Sequence, residues 1–171
     1  VITLVLIRHL LAIAALPSMV TIVIPWWIAR RNGVVLTLAT TSVGIIEQIG
    51  GICLIAVGLV LFVSSLRRFA GDGEGTLAPW DPPRNLVVRG PYRCVRNPMI
   101  SGVTLIVFGE ALLLRSWPEF QWALTFLLIN AVYIPLLEEP GLRRRFGQSY
   151  VEYCRHVPRL VPRLHPWTPG E

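Results

Sequence analysis

Four apolar stretches, separated by segments that carry arginine, restrict this chain more than any other feature of its sequence. They run at about 8–29, 44–66, 99–115 and 119–137. An α-helix rises 1.5 Å per residue, so about 20 residues cover the roughly 30 Å hydrocarbon core of a bilayer. The first two stretches reach that length, and the last two lie at the short end of the range. The expected fold class is therefore all-α and integral to a membrane, with about four transmembrane helices, a polar loop and a C-terminal helical cap. All 171 residues read as one domain.

Composition supports lipid as the solvent. Hydrophobic residues make up 53% of the chain and charged residues 15%, where a soluble domain carries about a quarter. Every base other than the histidines is arginine, and the formal charge is +6. The arginines flank apolar spans, which points to a membrane surface and away from nucleic acid. Ala12 and Ala14 resemble a cleavage site weakly, but the apolar run continues past Pro17 to Trp27, so it reads as a span and not a removed leader. Cys53, Cys94 and Cys154 form no CxxC pair and are expected to be free thiols. No metal site is expected.

The connections are polar. Residues 32–43 read either as a turn or as the start of the second helix. Arg67 and Arg68 are expected to stop that helix, and Gly44, Gly50, Gly51 and Gly58 let a neighbouring helix approach. Glu47, at the start of that helix, reads as an interfacial or hydrogen-bonded carboxylate. Glu110 lies inside the third span, where a carboxylate is a functional candidate or a partner for Arg115 one turn away. The loop 67–98 and the tail beyond 137 hold most of the arginines, and the far side only Arg30, Arg31 and Arg115. This bias predicts a cytoplasmic loop and C-terminus. Gly71–Gly75 with Pro79, Pro82 and Pro83 reads as a turn-rich connection or a lid.

Two segments carry chemistry. The first runs from Leu86 through Gly90-Pro91-Tyr92-Arg93 to Asn97-Pro98-Met99. Asn97 is a good N-cap and Pro98 fits the first helical position. Free N–H groups there, beside Arg93 and Arg96, make either an anion-friendly pocket or an ordinary capped helix. The second segment opens with Glu138-Glu139-Pro140. Two carboxylates at a helix C-terminus call for a cation. Arginine supplies one, and a sulfonium cofactor with an amino group is another. Phe146, Tyr150 and Tyr153 then make one apolar face.

Together, Gly90-Pro-Tyr-Arg-x-x-Arg-Asn-Pro-Met-x-x-Gly102, Glu138-Glu139 and Phe146-Gly147-x-x-Tyr150-x-x-Tyr153-x-x-x-Val157-Pro158 resemble the integral membrane methyltransferases. That group includes the isoprenylcysteine carboxyl methyltransferases and the phospholipid N-methyltransferases. The resemblance covers about 86–163. It implies an S-adenosylmethionine pocket over 84–102 and 138–163, lined by Leu86, Val87, Tyr92, Asn97, Pro98, Met99 and Ile100. Glu138 would contact the cofactor, with Arg96 and Glu139 in support. Tyr92, Glu110 and Glu138 are the candidate acid–base groups. The expected acceptor is a lipid-like molecule in the membrane. The family often has His in place of Asn97, and Asn cannot act as a base near neutral pH. Its prenylcysteine members carry a substrate-binding Arg about one turn before the glutamates, where this chain has Ala131-Val132-Tyr133-Ile134-Pro135. That departure argues against a carboxylate acceptor. The alternatives are a nicotinamide-dependent membrane reductase and a non-enzymatic protein that binds anionic lipid. The oligomeric state is left open.

Overall fold

The computed structural model describes residues 16–72 and 85–168, and these are helical, with no strand among them. A π-helical turn, Met19–Val23, leads into α1, Ile24–Arg31. Pro25 has no N–H to continue an ordinary helical ladder, and Ile24 bonds five residues back to Met19. Gly33 then takes φ +63°, and an extended stretch reaches α2, Ser42–Asp72. Residues 32–43 are thus a connection almost to their end. Gln48 ties it down, accepting from Ala39 N–H at 3.0 Å and donating to the carbonyl of Thr37 at 2.7 Å.

Helix α3, Pro98–Leu114, ends at Arg115 in the left-handed conformation. Ser116 caps α4, Trp117–Tyr133, by accepting from Glu119 N–H. A second π-helical turn, Ile134–Glu138, contains Pro135, so here too a proline coincides with a widened turn. It passes directly into α5, Glu139–His156, which Gly147 breaks with φ +56°.

Helices α2 and α3 pack antiparallel along a glycine seam. A Cβ on Gly58 would lie 2.6 Å from the Gly102 carbonyl oxygen, and one on Gly51 would lie 2.7 Å from that of Gly109. The backbones therefore touch at two rungs seven residues apart. Small residues allow this approach, which replaces the water-driven burial that lipid cannot supply.

Two helical stretches, Ser42–Arg68 and Trp117–His156, are long and apolar enough to cross a membrane, and Pro98–Leu114 is a shorter apolar helix. Ile46 is 69% exposed and Val60 71% exposed. Apolar faces of this extent suit hydrocarbon and not water. The helix bounds differ from those of the expected apolar spans in two places. The stretch of α2 fit to cross a membrane ends at Arg68, as expected, while the helix itself runs on to Asp72, because charge ends a helix's apolar part and not its hydrogen-bonded ladder. The fourth span does not stop at Leu137 but continues through the π turn into the cap helix. Of the first span, 8–15 lie outside the described residues, as does 73–84, which holds most of the proposed lid and Arg84.

Candidate functional site

The site begins with two segments that cannot satisfy their own backbones. Past the short 3-10 turn Gly90–Arg93, the loop has no regular structure, and neither does the tail after α5. Each supplies partners for the other. Arg96 N–H donates to the Pro158 carbonyl at 2.8 Å and Asn97 N–H to that of Arg159 at 3.2 Å. In return, Arg163 N–H reaches the Cys94 carbonyl at 2.9 Å, and Trp167 N–H the Arg93 carbonyl at 3.0 Å. Buried backbone groups must be paired, so neither segment holds this path without its partner.

Side chains fix the junction. Tyr153 Oη donates to the Tyr92 carbonyl at 2.6 Å. Tyr150, Tyr153, Val157 and Trp167 form a buried cluster, with Leu86, Val88, Leu142 and Phe146 packed against it. The aromatic face of α5 is thus used inside the protein, under the loop and tail, and not as a membrane-facing stripe.

The two adjacent glutamates differ sharply. Glu139 is buried, and both of its oxygens are used. Arg159 Nε donates to Oε1 at 2.7 Å and Arg159 Nη2 to Oε2 at 3.1 Å, while Arg96 Nη1 donates to Oε1 at 2.9 Å. Burial pushes its carboxyl up, but the Arg159 hydrogen bond and the charges of Arg96, Arg159 and Arg143 prevail and hold it below the usual range. Glu138 is half-buried, and among the described residues no donor or cation is bonded to it. Burial, with Glu139 next to it, raises its carboxyl above the usual range. It also acts on Tyr92, whose phenol is pushed up by burial, then by Tyr153 and Glu138. The Glu138 carboxylate thus lies within electrostatic range of the Tyr92 phenol.

Val87, Tyr92 and Met99 form a second buried cluster, with Phe62 of α2 packed on it. Leu86, Val87, Val88 and Arg89 line an open cleft of about 220 Å³, smaller than a usual small-molecule pocket. Pro98 is fully enclosed and Ile100 half-buried, so Pro98 shapes the turn from within.

Several expected roles are reassigned. Asn97 does not cap α3 with its side chain. Its carbonyl accepts from Ser101 N–H, and its Nδ2 donates instead to the Arg159 carbonyl at 3.2 Å. The anion-friendly reading of Arg93 and Arg96 fails because both are taken. Arg93 Nε donates to the Trp167 carbonyl at 2.8 Å, its Nη2 bonds Thr168 Oγ1, and Arg96 serves Glu139. Glu110 is not with the others; it lies twelve residues along α3 from Pro98, or about 18 Å by helical rise. Arg115 pairs at 2.9 Å with Glu47, not Glu110. All three cysteines are free. No cluster that could hold a metal occurs among the described residues.

Sequence reasoning missed Arg159, the main partner of Glu139. Its signal was the mismatch between two adjacent acids and an arginine-rich tail, which left the choice of arginine undefined. It also missed Glu119, buried at the far end with Oε1 unpartnered among the described residues.

Comparison with known proteins returns one chemistry. A family model described as phospholipid methyltransferase matches residues 46–149. Methanethiol S-methyltransferase 2 of Bradyrhizobium diazoefficiens is 36% identical over 76 residues, 43% of this chain and 27% of that protein. Protein-S-isoprenylcysteine O-methyltransferase B of Arabidopsis thaliana is 35% identical over 78 residues, 45% of this chain and 39% of that protein. The chain thus spans well under half the length of the curated relatives it matches. No solved structure matches it.

Proposed function

We propose, from the premise that this chain belongs to the phospholipid methyltransferase family, that it transfers a methyl group from S-adenosylmethionine to a lipid-like acceptor at the membrane surface. Membership follows from a match over more than half of the chain. The observation that carries the reading is the division between the glutamates. Glu139 is neutralised twice over, while Glu138 is left ionisable, half-buried and without a bonded cation among the described residues. A buried carboxylate in that condition favours a positive ligand strongly.

The residues present fit the donor. Glu138 would take its positive methionyl end, and the mainly polar cleft along Leu86, Val87, Val88 and Arg89 would face its nucleoside. When bound, S-adenosylmethionine supplies a methyl carbon activated by a sulfonium leaving group. The protein's part is to hold two reactants in line and keep water out, which is worth several kcal/mol of barrier. Tyr92 keeps its proton, so it serves as a hydrogen-bond donor and not as a base. Glu138, with its raised carboxyl, is the group able to accept a proton from an acceptor that must lose one.

The acceptor is not a carboxylate on this reading. Arg93, Arg96 and Arg159 are engaged by the protein itself, and Arg68 and Arg89 also have partners. An amine, thiol or hydroxyl on an apolar molecule needs no such arginine, and would enter sideways from the bilayer. The arginine bias of the loop and tail supports a cytoplasmic site.

Calorimetry on the purified chain tests the proposal. S-Adenosylmethionine and S-adenosylhomocysteine should both bind at micromolar concentration, and Glu138→Gln should weaken the binding. Binding of NADPH with no heat from either methyl-donor ligand would replace this reading with a reductase. Incubation with labelled donor and a total lipid extract would then identify the acceptor.

A further inference from the structure

We infer that Glu139 and Arg159 are positioning residues that fasten the tail across the Gly-Pro-Tyr loop, and that this fastening sets how tightly the donor is held. The inference rests on the donor site proposed above. It gives the adjacent glutamates separate tasks, with Glu138 facing the ligand and Glu139 facing the protein.

Three observations support it. First, Glu139 has no capacity left for a ligand, since its side chain is 5% exposed and both oxygens are occupied by two arginines. Second, those arginines come from different segments. Arg96 belongs to the loop and Arg159 to the tail, so one carboxylate at the head of α5 joins three pieces of chain. Third, the ion pairs sit where the backbones of the two segments cross. The carbonyls of Pro158 and Arg159 accept from the N–H groups of Arg96 and Asn97, the residues just before α3. Ser101 Oγ adds a bond to the Leu160 carbonyl at 2.7 Å. Releasing the Arg159 side chain therefore loosens the tail where it meets the first turn of α3, which carries Met99, and the loop, which carries Tyr92, leaving the backbone ties as the remaining hold.

The tail lies beyond residue 149, where the family match ends. The clasp thus extends the site past the end of that match. Removing the Arg159 charge leaves a buried carboxylate with one partner in place of two. The segment nearest to yield is the tail, which has no regular structure of its own, and not the helix.

The test uses the full chain in lipid nanodiscs and two readouts. S-Adenosylhomocysteine affinity reports the site, and hydrogen exchange at the amides of Arg96 and Asn97 reports the clasp without any ligand. Arg159→Met should bind about tenfold more weakly, the scale of one lost charge-assisted tie, and exchange faster at both amides. Arg159→Lys should recover most of the affinity, to within about threefold of the parent, because the charge is kept while the forked geometry is lost. Glu138→Gln should weaken binding with exchange unchanged. Faster exchange in Arg159→Met with parental affinity would overturn the inference and leave the donor site standing. Parental exchange in Arg159→Met would overturn it as well. No binding by the parent chain would remove the donor site and, with it, the positioning role. Should Arg159→Met not fold, the same two measurements on Arg159→Lys decide, and unchanged values in both would refute the role.

Discussion

Gly50 and Gly51 are adjacent on α2, yet adding one methyl group to each should have opposite effects. A Cβ on Gly51 would lie 2.7 Å from the Gly109 carbonyl oxygen and 2.7 Å from Leu113 N, whereas one on Gly50 meets nothing within 4 Å. Ordinary contact begins near 3.4 Å. Helix α2 must therefore withdraw from α3 by about 0.7 Å to admit the methyl of Gly51→Ala, since both atoms in its way are backbone. A gap of that size forfeits about a quarter to a half of the dispersion energy of each contact it opens. Overpacking of this kind costs about 1–3 kcal/mol. Gly50→Ala should cost nothing and, through helix propensity, add up to about 1 kcal/mol. Unfolding in mixed micelles by titration with dodecyl sulfate would measure both. Gly58→Ala, whose Cβ falls 2.6 Å from the Gly102 carbonyl oxygen, extends the test to the site. Gly102 is one turn from Pro98, so this change should weaken donor binding as well as stability, while Gly51→Ala spares the donor. Equal stabilities for Gly50→Ala and Gly51→Ala would refute the close seam and the packing derived from it.

Other outcomes follow from single contacts. Tyr153→Phe removes the hydrogen bond to the Tyr92 carbonyl and should lower stability by about 0.5–1.5 kcal/mol, read in the same titration. Glu47→Gln should change stability by no more than about 1 kcal/mol, because its pair with Arg115 is roughly 40% exposed on both sides. Donor affinity should fall as the medium is acidified and Glu138 takes up its proton. Because that carboxyl is raised, the fall should begin above the ordinary carboxylate range, and calorimetry of Glu138→Gln across the same pH series should show it flattened. Glu139 has the opposite sign. Its lowered carboxyl contributes stability above the ordinary range that is lost only as pH falls through its lower folded value, so the fold should outlast donor binding on acidification.

How far the sequence could be read depended on whether one residue or two decided each feature. The α3–α4 hairpin was legible because Pro98, Arg115 and Ser116 each act locally, through a missing N–H, a left-handed turn and a cap. The continuation of α4 into α5 was not. Pro135 and Pro140 suggest an ending, and only the wider π turn lets the chain pass them without stopping. The same limit explains Asn97. Its type suits a helix cap, but a carbonyl from a residue 62 positions away competes for its amide. Glu110 misled for a related reason. A carboxylate in an apolar run signals function from its own position, while its distance from the loop depends on which end of α3 it occupies.

The pairing of acids with arginines shows what remained hidden and why it matters for the chemistry. Charge counting established that Glu138 and Glu139 need positive partners, and the tail offers several. It could not establish that both nearby arginines choose the same glutamate. On the proposed reading, that choice creates the site. Had Arg96 and Arg159 taken one glutamate each, the pocket would contain two neutralised pairs and no attraction for a cationic donor. Placing both on Glu139 concentrates the protein's own neutralisation at the clasp and leaves the deficit at Glu138. The asymmetry follows from register. Glu139 opens α5 on the face toward the tail, and Glu138 ends the π turn within electrostatic range of Tyr92. A turn of ordinary pitch would rotate the pair by much of a residue's 100° step, so the π turn at Ile134–Glu138 determines which acid is held and which is left to bind.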